Sequence, residues 1–291
     1  MSIKQKVCDI GEFVVFQHTV FAMPFIFISM IVASKIATNS GWFGWRILFL
    51  GLLAAVSARN FAMGFNRLVD RDHDAKNPRT ANRPSVDGRL SVRTMSLFVI
   101  ANAIVFMTVC FFINDLAWWL SAPFLAVMAS YSLVKRFNWG AHLLLGLSLG
   151  LAPIAGAVAV LGEIPFWAVM LSAGVTLWVA GFDLLYSLMD EEFDKKMGLF
   201  SIPAKFGARN TLIIARFFHL GALFFWLFFC IYAQLGGLAW IGAFVSGAML
   251  VAEHKIAARG VEHINRAFFT VNGYLGVTFF VFILLDSMWK L

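Results

Sequence analysis

The 291-residue chain is 60% hydrophobic and 13% charged, with a mean hydropathy of +0.81, a balance that excludes a water-soluble globular protein and describes a chain meant for lipid. Its net charge of +7 is no nucleic-acid signal, because the basic residues fall between apolar stretches rather than in one patch. Cys8, Cys110 and Cys230 lack the spacing of a metal or redox motif and are expected to be unpaired packing residues.

A hydrocarbon core of ~30 Å takes ~20 apolar residues in helical form. Segments near that length lie at 17–34, 46–64, 94–112, 116–134, 141–160, 166–186, 210–231, 237–252 and 267–286, so the sequence predicts an all-α polytopic membrane protein of nine spans. No linker or soluble domain interrupts them, and residues 1–291 read as one domain. The sequence carries no signal of oligomeric state.

Span 1 contains Met23-Pro24-Phe25 and no small-residue cleavage site, so it is expected to be retained rather than removed as a signal, with Met1 as the mature N-terminus. His18 near its start reads as a structural or substrate-contact residue. Span 2 carries Arg59 at a depth where a cation needs a reason: a diphosphate, an acceptor carboxylate or a structural aspartate. Its end bears Asn66, Asp70 and Asp74, four residues apart, which on a continuous helix form one polar stripe with side chains about 6 Å apart. His73 lies off that stripe. Pro78 and Pro84 then block further helix, so the loop presents Arg79 and Arg83 for phosphate capture or lipid headgroups.

Span 4 ends in Tyr131-Ser132-Leu133-Val134-Lys135-Arg136, whose two cations suit a topology anchor as well as a binding site. Span 5 holds Gly146, Gly150, Pro153 and Gly156, which permit close helix approach or room for a lipid tail. Span 6 ends in a second stripe of Asp183, Tyr186, Asp190 and Asp194, with Glu191 and Glu192 turned off it toward solvent.

Placing the charges gives the topology. Lys4 and Lys6 precede span 1; Arg67, Arg71, Lys76, Arg79, Arg83, Arg89 and Arg93 lie between spans 2 and 3. Lys135 and Arg136 follow span 4, Lys195, Lys196, Lys205 and Arg209 span 6, and Lys255, Arg259 and Arg266 span 8. The opposite side carries Lys35, Arg46 and Lys290. The positive-inside rule therefore predicts a cytoplasmic N-terminus and, with nine spans, a C-terminus outside. Asp70 and Asp190 are 120 residues and four spans apart, so an even number of crossings returns both motifs to the cytoplasmic face.

Like charges at this spacing cost stability unless compensated. Pairing with arginines at a solvated rim would explain one such cluster; two of equal spacing on one face are better explained by a divalent cation. Oxygen-only donors suit Mg²⁺, completed by water and substrate phosphate. An ion-coupled transporter is the competing class, but it would place such residues near the midplane rather than at helix ends.

Asn66-x3-Asp70-x3-Asp74 with the Arg79/Arg83-Pro84 loop, Tyr131-x3-Lys135-Arg136, and Asp183-x2-Tyr186-x3-Asp190-x3-Asp194 together resemble the UbiA-type intramembrane prenyltransferases over nearly the whole chain. The resemblance is strongest to the 4-hydroxybenzoate polyprenyltransferase branch, in a bacterial subgroup reading Ser57-Ala58-Arg59 and Phe65-Asn66-Arg67. It implies nine helices around a central cavity under a cytoplasmic cap. Mg²⁺ would be held by Asn66, Asp70 and Asp74 on one side and by Asp190 and Asp194 on the other. Arg59, Lys135 and Arg136 would contact a polyprenyl diphosphate or an aromatic acceptor, with Arg67, Arg79, Arg83, Tyr131, Asp183 and Tyr186 completing the substrate site. Many members have Asp directly after the first motif's Asn; here it is Arg67, and some of this subgroup serve menaquinone synthesis through futalosine-type acceptors such as aminodeoxyfutalosine rather than ubiquinone synthesis through 4-hydroxybenzoate.

Overall fold

A computed structural model of the chain describes residues 9–14, 23–134, 136–264 and 267–289, and among them there are helices and no strands. Nine long helices follow in order: α1 Met23–Thr38, α2 Trp45–Val69, α3 Val92–Ile113, α4 Asp115–Val134, α5 Ala141–Leu161, α6 Phe166–Ser187, α7 Ile202–Tyr232, α8 Gly237–Ala257 and α9 Asn272–Trp289. Eight helical segments are long and apolar enough to cross a membrane; α1, at 16 residues, is apolar but shorter. Each expected span thus has a helix, while length alone supports eight crossings among the described residues. Lys4, Lys6, Cys8, His18, Lys135, Arg266 and Lys290 lie outside the described residues.

Helix ends follow local chemistry. Ser91 and Ser201 accept hydrogen bonds from the backbone N–H of Thr94 (3.1 Å) and Ala204 (3.3 Å), capping α3 and α7. Span 7 was expected from residue 210, but α7 begins at Ile202 and bends at Gly207, whose φ of 76° needs a residue without Cβ.

The axis of the bundle is α6, the most buried of the long apolar segments, whereas α2 is among the least buried. It packs against α5 and α7, with α1, α8 and α9 completing one half, while α2, α3 and α4 form the other half beside α5. Lipid supplies no hydrophobic drive between helices, so packing must hold them together. Trp178 of α6 meets Phe25 of α1 (5.1 Å between ring centroids) and Trp226 of α7 (6.3 Å), and Trp226 meets Phe279 of α9 (5.4 Å). Small residues allow the α5–α6 approach, since a Cβ on Gly146 would stand 2.2 Å from the Thr176 carbonyl oxygen. The α2–α3 connection is tied down by Arg89, which bridges Glu12 (2.6 Å), Asp87 (2.7 Å) and Asp9 (3.4 Å). Hydrogen bonds to Glu12 and Asp87 raise the Arg89 pKa further above the ordinary arginine value, so this clamp stays charged.

Candidate active site

Between the two halves lies a polar cavity of about 350 Å³, walled by α2, α4, α5 and α6 and by the segments that follow α2 and α6. It adjoins an apolar cavity of about 170 Å³ lined by α1 to α5. Arg59, Met63, Tyr131, Leu145 and Leu149 line both. From Leu145 to Ala159 the apolar cavity follows α5 for ~20 Å at the helical rise.

The first motif is not one uninterrupted stripe. Helix α2 ends at Val69, Asp70 sits at the junction with φ −86° and ψ 0°, and a short helix Arg71–Asp74 follows. The bend preserves the approach of the motif, because Asn66 Nδ2 still donates to Asp70 Oδ2 at 2.8 Å and also reaches Ser132 Oγ at 3.3 Å. His73, although off the aspartate stripe, also lines the cavity. Asp74, 8% exposed, accepts from Arg83 Nη1 at 2.7 Å and lies 3.8 Å from Arg67 Nη1.

The second motif is broken in the same way. A 3₁₀ turn Leu188–Asp190 separates α6 from the short helix Glu191–Met197, so Asp183 and Tyr186 belong to one helix and Asp194 to another. The loop after the first motif reaches across to it. Asn77 Nδ2 and Arg79 Nε each donate to Asp190 Oδ1 at 3.1 Å, Arg79 Nη2 donates to Asp190 Oδ2, and Arg79 Nη1 donates to the Tyr186 hydroxyl at 2.7 Å. Burial alone would lower the Arg79 pKa, but its hydrogen bond to Asp190 and the charges of Tyr186 and Asp190 outweigh it and leave it raised.

The polar cavity is lined by Arg59, Asn66, Arg67, Asp70, Asp74, Arg79, Arg83, Tyr131, Asp183, Tyr186, Asp190 and Asp194. Lys135 lies outside the described residues. Arg136 does not line the cavity: its Nη2 donates to the Val69 carbonyl oxygen at 2.7 Å, satisfying the exposed end of α2, and stands 3.8 Å from Asp70 Oδ1. Glu191 pairs with Lys195 at 2.6 Å on the exposed side, as its position off the stripe suggests. Sequence reasoning missed His142, whose Nδ1 meets Asp183 Oδ2 at 2.7 Å across 41 residues of chain. A pairing between two helices leaves no local spacing to read.

Among the described residues no three His, Cys, Asp or Glu side chains form a ready-made metal cage. The site nevertheless fits a hard cation that arrives with a phosphate. Its donors are oxygens from Asn66, Asp70, Asp74, Asp190 and Asp194, and Mg²⁺ characteristically takes one or two carboxylates and fills its shell with water and substrate phosphate. The described wall carries five aspartates against four arginines, so a diphosphate entering without a cation would meet net repulsion.

A sequence model of the UbiA prenyltransferase family matches residues 22–283. Among curated relatives, the 4-hydroxybenzoate octaprenyltransferase of Paracidovorax citrulli is 32% identical over 247 residues, covering 82% of this chain and 81% of the relative. The 4-hydroxybenzoate octaprenyltransferase of Dechloromonas aromatica is 27% identical over 252 residues, 84% of this chain and 82% of the relative. Among solved structures, a UbiA homolog from Aeropyrum pernix K1 superposes with a TM-score of 0.83 at 30% identity, covering 92% of this chain and 98% of that one. A UbiA homolog from Archaeoglobus fulgidus bound to DMAPP and Mg²⁺ has the same fold, with a TM-score of 0.71 at 20% identity, covering 97% and 99% of the two chains.

Proposed function

The chain belongs to the UbiA prenyltransferase family, and from that premise we propose that it transfers a polyprenyl group from a polyprenyl diphosphate to a 4-hydroxybenzoate-like aromatic precursor of a respiratory quinone. The observation that carries this reading is the adjoining pair of cavities. A charged chamber able to hold a diphosphate opens beside an apolar channel able to hold the first units of its tail, and Arg59 and Tyr131 stand at their shared wall.

Each chamber has a task. Arg67, Arg79 and Arg83 offer guanidinium groups to the diphosphate and oppose the charge that grows on it as the allylic C–O bond breaks. Asn66, Asp70 and Asp74, with Asp190 and Asp194, would hold Mg²⁺, which supplies further positive charge to the same leaving group. Ala54, Ala58, Phe106, Leu120 and Phe124 line the apolar channel, which houses the tail and excludes water that would capture an allylic cation. Arg59, at the wall between the chambers, suits the carboxylate of an aromatic acid whose ring must meet the allylic carbon there. The basic loops favour a cytoplasmic location for this face of an inner-membrane protein, and residues 1–291 act as one domain.

The test offers the purified protein radiolabelled octaprenyl diphosphate with Mg²⁺ and, separately, 4-hydroxybenzoate or aminodeoxyfutalosine. Conversion of 4-hydroxybenzoate to a lipid-soluble product supports the reading. Exclusive use of aminodeoxyfutalosine moves the acceptor to the other branch, and transfer to neither aromatic contradicts the proposal.

A further inference from the structure

His142 lies in the first turn of α5 and is 7% exposed. Its Nδ1 stands 2.7 Å from Asp183 Oδ2, while its Nε2 is closed off from solvent and has no hydrogen-bond partner among the described residues. With a carboxylate oxygen on one side and nothing on the other, the proton belongs on Nδ1, which donates to Asp183. A buried imidazole that leaves one nitrogen unsatisfied is costly, and such a group calls for an explanation in function.

The consequence lies at Asp183. Its Oδ2 is occupied by His142; its Oδ1 makes no hydrogen bond among the described residues, and its side chain, 22% exposed, lines the polar cavity. Asp183 lies on α6 before the 3₁₀ turn that carries Asp190, and Arg59 precedes Asn66 by seven residues, ~10 Å along α2, at the wall shared with the apolar channel. Leu145 and Leu149, one and two turns after His142, line both cavities. Asp183 and His142 line the polar cavity about one turn from Leu145, so an acceptor ring held at Asp183 lies beside the shared wall where the donor tail enters.

We propose that His142 is a positioning residue of the acceptor subsite, its Nδ1–H holding Asp183 so that the free Oδ1 receives the hydroxyl or amine proton of the aromatic acceptor in a hydrogen bond. The hydrogen bond raises electron density on the ring that must attack, and it fixes which ring edge faces the allylic carbon. A carboxylate without this clamp is free to rotate within the cavity and loses the pose. The inference rests on the transfer reaction proposed above.

The experiment compares His142→Leu with His142→Asn, using 4-hydroxybenzoate and octaprenyl diphosphate. Leucine removes the donor, whereas the asparagine amide nitrogen stands where imidazole Nδ1 stood. Losing a hydrogen bond to a charged group predicts a rise of about tenfold or more in KM for the aromatic acid with H142L. KM for the prenyl diphosphate and the Mg²⁺ requirement stay within about twofold, because those groups are addressed elsewhere. H142N recovers most of the lost acceptor affinity. If H142L fails to fold, His142→Gln replaces it, since its amide reaches the Nε2 position and does not restore the donor to Asp183. Unchanged acceptor KM in H142L, equal rises for both substrates, or no recovery in H142N overturns the assignment. A wild-type protein that binds prenyl diphosphate but transfers it to no aromatic instead overturns the reaction, and the inference with it.

Discussion

Asp190→Asn separates a catalytic carboxylate from a structural one. Asp190 receives Asn77 at 3.1 Å and a two-pronged contact from Arg79, but the pair is partly open, with side-chain exposures of 34% for Arg79 and 21% for Asp190. Exposure of this degree screens the pair, so its loss should cost only about 1 kcal/mol of stability even though the geometry is bidentate. The asparagine keeps the shape and one acceptor oxygen, which limits the damage further. Catalysis should suffer far more. If Asp190 organises the charge opposing the leaving diphosphate, removing one such electrostatic element should cost about 3–4 kcal/mol in the transition state, or roughly 10²- to 10³-fold in kcat. The assay pairs thermal unfolding in detergent with transfer of octaprenyl to 4-hydroxybenzoate at saturating Mg²⁺. A kcat within about threefold of wild type would refute the reasoning. So would a fold so weakened that the loss of activity merely follows the loss of protein.

Asp74→Ala should reverse the balance toward stability. Arg67 and Asp74 are both buried, and Arg83 lies 2.7 Å from the carboxylate, so its removal strands cationic charge at a cost of about 3–5 kcal/mol, read as a large drop in Tm. Ala54→Phe places a ring in the apolar channel, where it should lower kcat/KM for octaprenyl diphosphate about tenfold or more while sparing dimethylallyl diphosphate. Equal losses for both donors would show that the tail lies elsewhere.

The fold was largely legible because lipid imposes one simple rule, a run of apolar residues long enough to cross. The α4 and α6 expectations, 116–134 and 166–186, match helices Asp115–Val134 and Phe166–Ser187. The rule falters where apolar content and backbone geometry diverge, as at the start of α7, where Ser201 and Pro203 open a helix before its apolar stretch and Gly207 bends it. In the candidate site, the four-residue spacing singled out aspartates of both motifs, and these line one cavity. It could not reveal the bend at Asp70 or the 3₁₀ turn at Leu188–Asp190, because polar segments at a helix end carry no hydrophobic period to read. Arg136, read as a site cation from its place after Tyr131, donates to the Val69 carbonyl oxygen and stands 3.8 Å from Asp70 Oδ1, contacts that no spacing shows. His142 gave no signal, since its partner Asp183 belongs to the next helix and only packing through Gly146 brings α5 and α6 that close.

The central claim is that two aspartate motifs and their arginines receive a metal-bound prenyl diphosphate. It is tested most directly by following label from octaprenyl diphosphate into lipid-soluble product before EDTA, after EDTA, and after Mg²⁺ is restored. The account predicts that transfer is lost in chelator and returns with Mg²⁺ in wild type, and that Mg²⁺ fails to restore wild-type rates in Asp190→Asn. Transfer that persists undiminished in chelator would contradict it.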